Sequence, residues 1–189
     1  MKKILLFIFT LFLLMSCSFI ETNPFALINE SNSYYVETSM KPDSNKYSDR
    51  MNYKIWTEGN IEYQESYYYS YNSLVETTKT YTLYGEDYNT IYTYDFSNMM
   101  WKKTTKNKTS GGGSGLFDES KYEKQGNRYY LKPYASTGTY TYSEIYYDNG
   151  KVIMNAKAII NNEGDYMNIY SVHSQFNEKF NLELPTKYY

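Results

Sequence analysis

Two runs of strand-forming residues near the end of the chain, 139–147 and 151–160, are joined by an Asp-Asn-Gly sequence at 148–150. Asn-Gly between two such runs is the strongest short-range signal for a β-hairpin, because both residues tolerate a positive φ angle. A looser turn at 161–165 leads into another run at 166–173, which predicts a third antiparallel strand. This part of the chain is therefore constrained to an antiparallel meander.

The same strand pattern extends over the preceding part of the chain. Its runs are rich in Tyr, Thr, Ile and Val and are interrupted by Gly, Asn, Asp and Ser, which favours strands joined by short turns. A parallel pair would need a crossover of roughly a dozen residues, so neighbouring strands are expected to be antiparallel. The predicted strands cover 34–40, 51–58, 61–69, 75–84, 89–96, 99–105 and 128–132.

Two short segments have helical signals. Asn23 followed by Pro24 predicts an N-cap and a proline at the first helical position, and the apolar face that follows ends near residue 32. A second helical turn is predicted within 116–123, where Phe117 and Tyr122 are separated by polar residues. Together the patterns predict a mainly β fold with one or two short helices.

Residues 106–115 run from Lys-Asn-Lys-Thr-Ser into Gly-Gly-Gly-Ser-Gly, a composition that does not hold regular structure. We expect this Gly-rich stretch to form a loop within a single domain that covers 24–189. The alternative is a linker between two domains. Each half would then have well under about 100 residues and a weak core, which favours the loop.

The chain begins with two lysines and an apolar run over 4–14 that is interrupted by Thr10. The run has the length of the apolar region of a signal peptide. It is too short to cross a bilayer stably, which takes about 20 residues. A Leu-Met-Ser-Cys sequence follows and ends at Cys17.

This Leu-Met-Ser-Cys sequence resembles the lipobox of bacterial lipoproteins. The resemblance implies a signal peptide at 1–16, cleavage before Cys17, a diacylglyceryl thioether on its sulfur and a tether at 17–23. An ordinary secretory signal with an incidental Cys is the alternative, but it needs an A-x-A-like cleavage site, which the neighbouring sequence lacks. Because two acyl chains anchor a protein stably, we expect export and attachment to the cell membrane. Ser18 resembles the pattern that leads to the outer membrane in bacteria with two membranes.

Three stretches resemble the LolA/LppX-like superfamily of lipoprotein carriers and lipid-binding lipoproteins. Residues 29–38 resemble its passage from a helix into the first strand, and 92–103 resemble a strand pair with an aromatic residue at its end. Residues 176–185 resemble its final turn and alternating strand, which stops at a proline. The resemblance implies a curved antiparallel sheet that forms an open half-barrel. Its concave apolar face would hold acyl chains or another hydrophobic ligand.

One predicted strand offers an apolar face for such a ligand. Alternate residues from 152 to 160 share a face of the strand, and they are all apolar. Within the implied half-barrel, Val152, Met154 and Ile160 are therefore the predicted contacts to a hydrophobic ligand or lipid. Packing in an ordinary core is the other interpretation of the same residues.

The chain contains 26 tyrosines, which suggests a different function. Clusters such as 67–71 and 140–147 would suit an aromatic surface that stacks on sugars or peptides, because Tyr has an apolar body and a polar tip. The alternative function is thus a surface interaction or adhesion module. Tyr is also simply favoured in strands, so the clusters have an ordinary structural explanation as well.

Several function classes are disfavoured by composition. A net charge of −2 does not suit nucleic-acid binding, and one His with one Cys cannot supply a His-based metal cluster or most catalytic pairs. We therefore expect no enzyme activity and no cofactor, and the sequence does not indicate a protein partner. His173 has no evident catalytic partner and is expected to be a hydrogen-bonded residue of the sheet. The lysines beside Trp101 are expected to form a solvated hairpin end, with contact to anionic lipid headgroups as the alternative. They are Lys102, Lys103, Lys106 and Lys108.

Overall fold

The computed structural model describes residues 21–43, 49–107, 117–135, 140–160 and 165–189. The predicted signal peptide, Cys17, Lys108 and the glycines of the predicted loop lie outside these residues. No helix in the described part of the chain is both long and apolar enough to cross a membrane.

Within these ranges eleven strands form one sheet, and every pair of neighbouring strands is antiparallel. A helix, α1, covers Pro24–Glu30, and single 3₁₀ turns cover Glu119–Lys121 and Pro133–Ala135. The strands are β1 Ser33–Pro42, β2 Arg50–Glu58, β3 Ile61–Ser70, β4 Ser73–Tyr84, β5 Tyr88–Asp95, β6 Met100–Asn107, β7 Tyr122–Gln125, β8 Arg128–Leu131, β9 Tyr140–Asp148, β10 Lys151–Ile159 and β11 Tyr166–Ser174.

The sheet consists of two meanders joined at β1 and β11. Its strand order is β6-β5-β4-β3-β2-β1-β11-β10-β9-β8-β7, which leaves β6 and β7 as the two edges. The predicted mainly β fold, an open antiparallel sheet with a short helix, is therefore confirmed. So is the hairpin between β9 and β10, where Asn149 and Gly150 have φ angles of 48° and 80°, as a tight primed turn requires.

The helix α1 closes one face of the second meander, and this face is called the helix face below. The side-chain oxygen of Asn23 accepts hydrogen bonds from the backbone N–H groups of Phe25 and Ala26, at 2.9 and 3.3 Å, and so caps the first turn. Phe25 and Ile28 then pack against β7 to β11. The buried cluster consists of Phe25, Ile28, Tyr122, Tyr129, Ile145, Val152, Met154, Ala156, Ala158 and Ile169.

Two sequence predictions are wrong in part. Residues 176–185 begin with the predicted turn but form no strand, because Asn177 and Asn181 have φ angles of 60° and 55°, which interrupt an extended backbone. The segment instead bonds to the starts and ends of other strands: the N–H of Asn177 donates to the carbonyl oxygen of Ser33 at 2.8 Å. The helical turn predicted within 116–123 is a single 3₁₀ turn, and β7 already begins at Tyr122.

Candidate functional site

The predicted ligand residues do not form one site. Val152 and Met154 are buried in the cluster beneath α1, whereas Ile160 follows the end of β10 and is 45% exposed. The reason is local, since the N–H of Ile160 donates to the carbonyl oxygen of Asp165 at 2.8 Å and the chain turns there. The helix face is thus filled by protein side chains at the first two positions.

The same face of the first meander is largely polar. Strand alternation and register place Gln64 and Ser66 of β3 opposite Thr80 and Thr78 of β4 on the helix face. A groove of about 510 Å³ lies there, called the polar groove below. Every lining side chain except Met51 carries a hydroxyl, amide or carboxylate group. Its lining residues are Met51, Tyr53, Gln64, Ser66, Tyr68, Glu76 and Thr78.

The opposite face of the first meander, the aromatic face, has a row of rings that crosses the strands. Successive centroids lie 4.9, 5.4, 4.6 and 5.3 Å apart. The register produces the first four rings, because residues directly opposite one another on β1 to β4 point to the same side. The fifth ring, Trp101, is opposite Tyr94 of β5 and reaches Tyr81 diagonally across that strand. The members of the aromatic row are Tyr35, Trp56, Tyr63, Tyr81 and Trp101.

A row of alternating charges runs beside the aromatic row, from Glu37 through Lys54 and Glu65 to Lys79. Lys79 lies 3.4 Å from Glu65. The hydroxyl groups of Tyr63 and Tyr67 donate to Glu65 at 2.7 and 2.5 Å.

These contacts determine the charge state of the row. Burial alone would raise the pKa of Glu65, but the two tyrosine hydroxyls and Lys79 lower it overall, so Glu65 carries a negative charge at neutral pH. Burial and the hydrogen bond to Glu65 raise the pKa of Tyr63 well above its usual range. The Glu65 carboxylate thus stays ionised and accepts hydrogen bonds from both tyrosine hydroxyls.

The aromatic row ends in a cleft over strands β3 to β6, the aromatic cleft, with a volume of about 430 Å³. The rings change orientation here: Trp101 is nearly perpendicular to both Tyr81 and Tyr94, at 65° and 67°. Phe96 stands at 85° to Tyr94. Perpendicular rings expose faces that a stacked row would cover. The cleft is lined by Tyr63, Lys79, Tyr81, Tyr94, Phe96, Met99 and Trp101.

The end of the chain lies beside this cleft. Backbone hydrogen bonds of 3.0 Å join Trp101 and Lys103 to Tyr189, so the last residues pair with the β6 edge in parallel orientation. The hydroxyl of Tyr189 donates to Asp95 at 2.6 Å, and the ring of Tyr188 lies 5.3 Å from that of Tyr92. This pairing fixes the strand from which Trp101 projects.

His173 and the lysines beside Trp101 are the remaining candidates from the sequence. His173 lies on β11 as predicted, 4.9 Å from the ring of Phe117, and burial lowers its pKa to about 4. Its Nε2 lies 3.4 Å from the Ser171 hydroxyl, but its Nδ1 has no hydrogen-bond partner. Lys102, Lys103 and Lys106 lie on the edge strand β6, and Lys103 stands over the ring of Tyr188 at 4.7 Å.

The aromatic row is the feature that the sequence did not reveal. Each of the tyrosine clusters at 67–71 and 140–147 lies within one short stretch of sequence. The aromatic row instead takes one ring from each of several strands. Only the strand register brings these rings together. The available signal was a large aromatic residue in each predicted strand that the row takes a ring from.

The sequence matches no protein-family model and no curated protein. Among solved structures, a crystal structure of a DUF1329 family protein from Desulfovibrio piger is similar, with a TM-score of 0.38 and 12% sequence identity. The match covers 85% of this chain and 93% of that chain. This is a distant structural similarity.

Proposed function

We propose that this protein is a membrane-anchored, noncatalytic lipoprotein that binds a hydrophobic ligand, and that the ligand occupies the aromatic cleft. One observation carries the assignment. The cleft combines a volume of about 430 Å³ with a lining of aromatic rings, one methionine and one lysine. Small-molecule sites typically have roughly 300–1,000 Å³ and are mostly apolar, with few polar groups that fix orientation.

The lining suggests the chemistry of the ligand. The perpendicular faces around Trp101 suit an acyl chain or another flat or flexible apolar group. The Lys79 ammonium lines the cleft and is partly exposed, so an anionic head group can reach it beside its ion pair with Glu65. An amphipathic molecule such as a fatty acid fits both features.

The membrane anchor is supported by the sequence alone. The lipobox-like sequence ending at Cys17 implies lipid on the only cysteine of the chain. A protein held at a bilayer meets amphipathic molecules at high local concentration, which suits a ligand of this class. The anchor and the ligand are separate parts of the proposal and are tested separately.

A surface interaction module is the second candidate, favoured by the combination of the aromatic row with the row of alternating charges. Tyr and Trp rings with fixed polar neighbours are typical of surfaces that contact proteins or glycans. This function would engage the whole face from Tyr35 to Trp101 rather than the cleft alone.

Tryptophan fluorescence tests the first candidate directly, because the chain has two tryptophans and both belong to the aromatic row. Palmitate is titrated into a chain that starts at Ser18, which omits the predicted anchor and keeps every described residue. The variant Trp56→Phe retains only Trp101, and Trp101→Phe retains only Trp56. A ligand in the cleft changes the emission of Trp101 strongly and that of Trp56 weakly.

Tyr170→Ala is the matched control, since Tyr170 is an exposed tyrosine on the same side of the sheet but on β11. It should bind palmitate like the parent chain. Equal responses from both tryptophans would instead favour an extended surface. A loss of binding in Tyr170→Ala would place the ligand in the groove of about 540 Å³ that Tyr170 lines. No response from either tryptophan would contradict a cleft that binds fatty acids.

A further inference from the structure

The exposed apolar side chains are unevenly distributed over the molecule. Exposed tyrosines occur at both ends of the sheet and on its faces. In the described ranges, the exposed large apolar side chains other than tyrosine all lie at one end of the strands, called the apolar end below. They are Met51, Leu74, Val75, Phe96, Met99, Met100, Ile159 and Ile160.

The topology shows that these residues share an end. Because the strands are antiparallel, the turns between β3 and β4 and between β5 and β6 project from the same end of the sheet. The strand β2 starts there, next to the end of β1. The strand β10 finishes there as well, because Ile159 pairs with Tyr166 beside the pairing of Met167 with Pro42.

Both hairpin turns place a large apolar residue in an unfavourable backbone conformation. Tyr71 has a φ angle of 49° and is 83% exposed, and Met99 has a φ angle of 52° and is 79% exposed. These left-handed positions favour Gly, Asn or Asp. In addition, the register shift between Tyr68 and Tyr69 leaves Val75 as an extra residue of β4. Ordinary folding does not require apolar residues at any of these positions.

The described chain begins beside the edge strand β7, where the Lys124 ammonium donates to the carboxylate of Glu21 at 2.6 Å. The side chain of Asn23, just before α1, donates to the carboxylate of Glu119 at 3.1 Å. Glu119 belongs to the turn that leads into Tyr122, and Tyr122 pairs with Leu131 at the end of β7 nearest the apolar end. Cys17 precedes Glu21 by four residues, which span at most about 14 Å.

We propose that the apolar end rests on the bilayer that holds the lipid anchor and inserts the two hairpin turns into its interface. This inference depends on the anchor of the proposed function. The short tether holds the described part of the chain close to the bilayer. The exposed side chains of the apolar end are the ones that gain most from leaving water.

Charge does not drive this contact. The acidic residues Asp43, Glu76 and Asp95 lie at the apolar end together with basic residues, and Asp43 is paired with Lys157 at 2.7 Å. A mixed surface of this kind gains little from anionic lipids. Insertion is therefore expected in vesicles of phosphatidylcholine alone, without an increase when phosphatidylglycerol is added.

A single-cysteine label tests the insertion. In the lipidated chain the thiol of Cys17 is consumed, so Val75→Cys has one free thiol for an environment-sensitive NBD fluorophore. The labelled lipoprotein is reconstituted into phosphatidylcholine vesicles. We expect a blue-shifted and severalfold brighter emission from position 75. Lys151→Cys, an exposed position at the other end of β10, should report water in the same vesicles. Adding Met99→Asp to Val75→Cys should return the emission toward that of the control.

The outcomes separate this inference from the anchor. A parent chain that reacts with the thiol reagent and does not float with vesicles shows that the anchor is absent, and the inference then fails with it. If the chain floats with vesicles but the fluorophore at position 75 reports water, as the one at position 151 does, the insertion is wrong and the anchor stands. If the emission is already blue-shifted before vesicles are added, and light scattering gives twice the mass of one chain, a second copy of the chain covers the apolar end. This result also contradicts the insertion.

Discussion

The ring of Phe25 stands edge to face against the ring of Tyr129, with 5.1 Å between the centroids and 82° between the planes. Phe25 is 1% exposed and lies equally close to Tyr122. The helix α1 therefore covers Val152 and Met154 instead of leaving them open to a ligand. Because this contact closes the helix face of the second meander, the candidate site is the aromatic cleft on the opposite face.

Replacing Phe25 by Ala should lower the free energy of unfolding by about 3–5 kcal/mol, because the change removes a buried ring and leaves a cavity. Urea denaturation of the chain from Ser18 measures the difference. Tyr170→Ala, an exposed ring, should change it by no more than about 0.5 kcal/mol. A similar small effect of Phe25→Ala would show that α1 does not stabilise the sheet.

His173 should make stability depend on pH. Burial lowers its folded pKa from 6.5 to about 4, so between these values the unfolded chain binds a proton that the folded chain does not. The stabilisation is complete above pH 6.5 and is lost as the pH falls toward 4, by about 1.4 kcal/mol per pH unit.

Urea denaturation at several pH values between 7 and 5 checks this dependence. His173 is the only histidine in the chain, so His173→Gln should flatten the profile in this range. A parent profile that is already flat there would contradict the buried neutral imidazole.

Glu144 should matter more to stability than a surface carboxylate. It is buried, is paired with Arg128, and accepts hydrogen bonds from Tyr142 at 3.1 Å and from Asn155 at 3.4 Å. Replacement by Ala leaves these donors without their acceptor and should cost about 2 kcal/mol. Glu37→Ala breaks an exposed pair, 4.0 Å from Lys54, and should cost under about 1 kcal/mol. Equal losses of stability in Glu144→Ala and Glu37→Ala would contradict the greater importance of Glu144.

Removing Tyr188 and Tyr189 should make the chain self-associate. The last residues occupy the backbone groups of Trp101 and Lys103 at the β6 edge, and an uncovered edge strand pairs readily with another chain. Light scattering coupled to size exclusion would detect the larger species. Tyr189→Phe retains the backbone pairing, loses only the hydrogen bond to Asp95, and should keep the mass of the parent chain. If the truncated chain also keeps that mass, the tail does not protect the edge.

The sequence predicted the elements better than their arrangement. Local chemistry sufficed for Asn149-Gly150 and for Asn23-Pro24, because turn and cap preferences act over a few residues. The aromatic row depends on register, and a shift of one residue would turn a ring such as Trp101 to the other face.

The prediction for Ile160 stays untested as a ligand contact, but alternation alone did not reveal that β10 ends one residue earlier. Local sequence signals could not predict the order of the strands either. The pairing of β1 with β11 joins residues from distant parts of the chain. The covering of Val152 and Met154 by α1 follows from that arrangement.

Native mass spectrometry of the chain from Ser18, purified from bacterial cells, tests the central claim most directly. We expect one hydrophobic small molecule per chain, retained in Tyr170→Ala and lost in Trp101→Ala, which removes a ring that belongs to both the row and the cleft. A chain that carries no ligand and binds no added palmitate would contradict the account. So would a ligand that survives Trp101→Ala and is lost in Tyr53→Ala, since Tyr53 lines the polar groove on the other face.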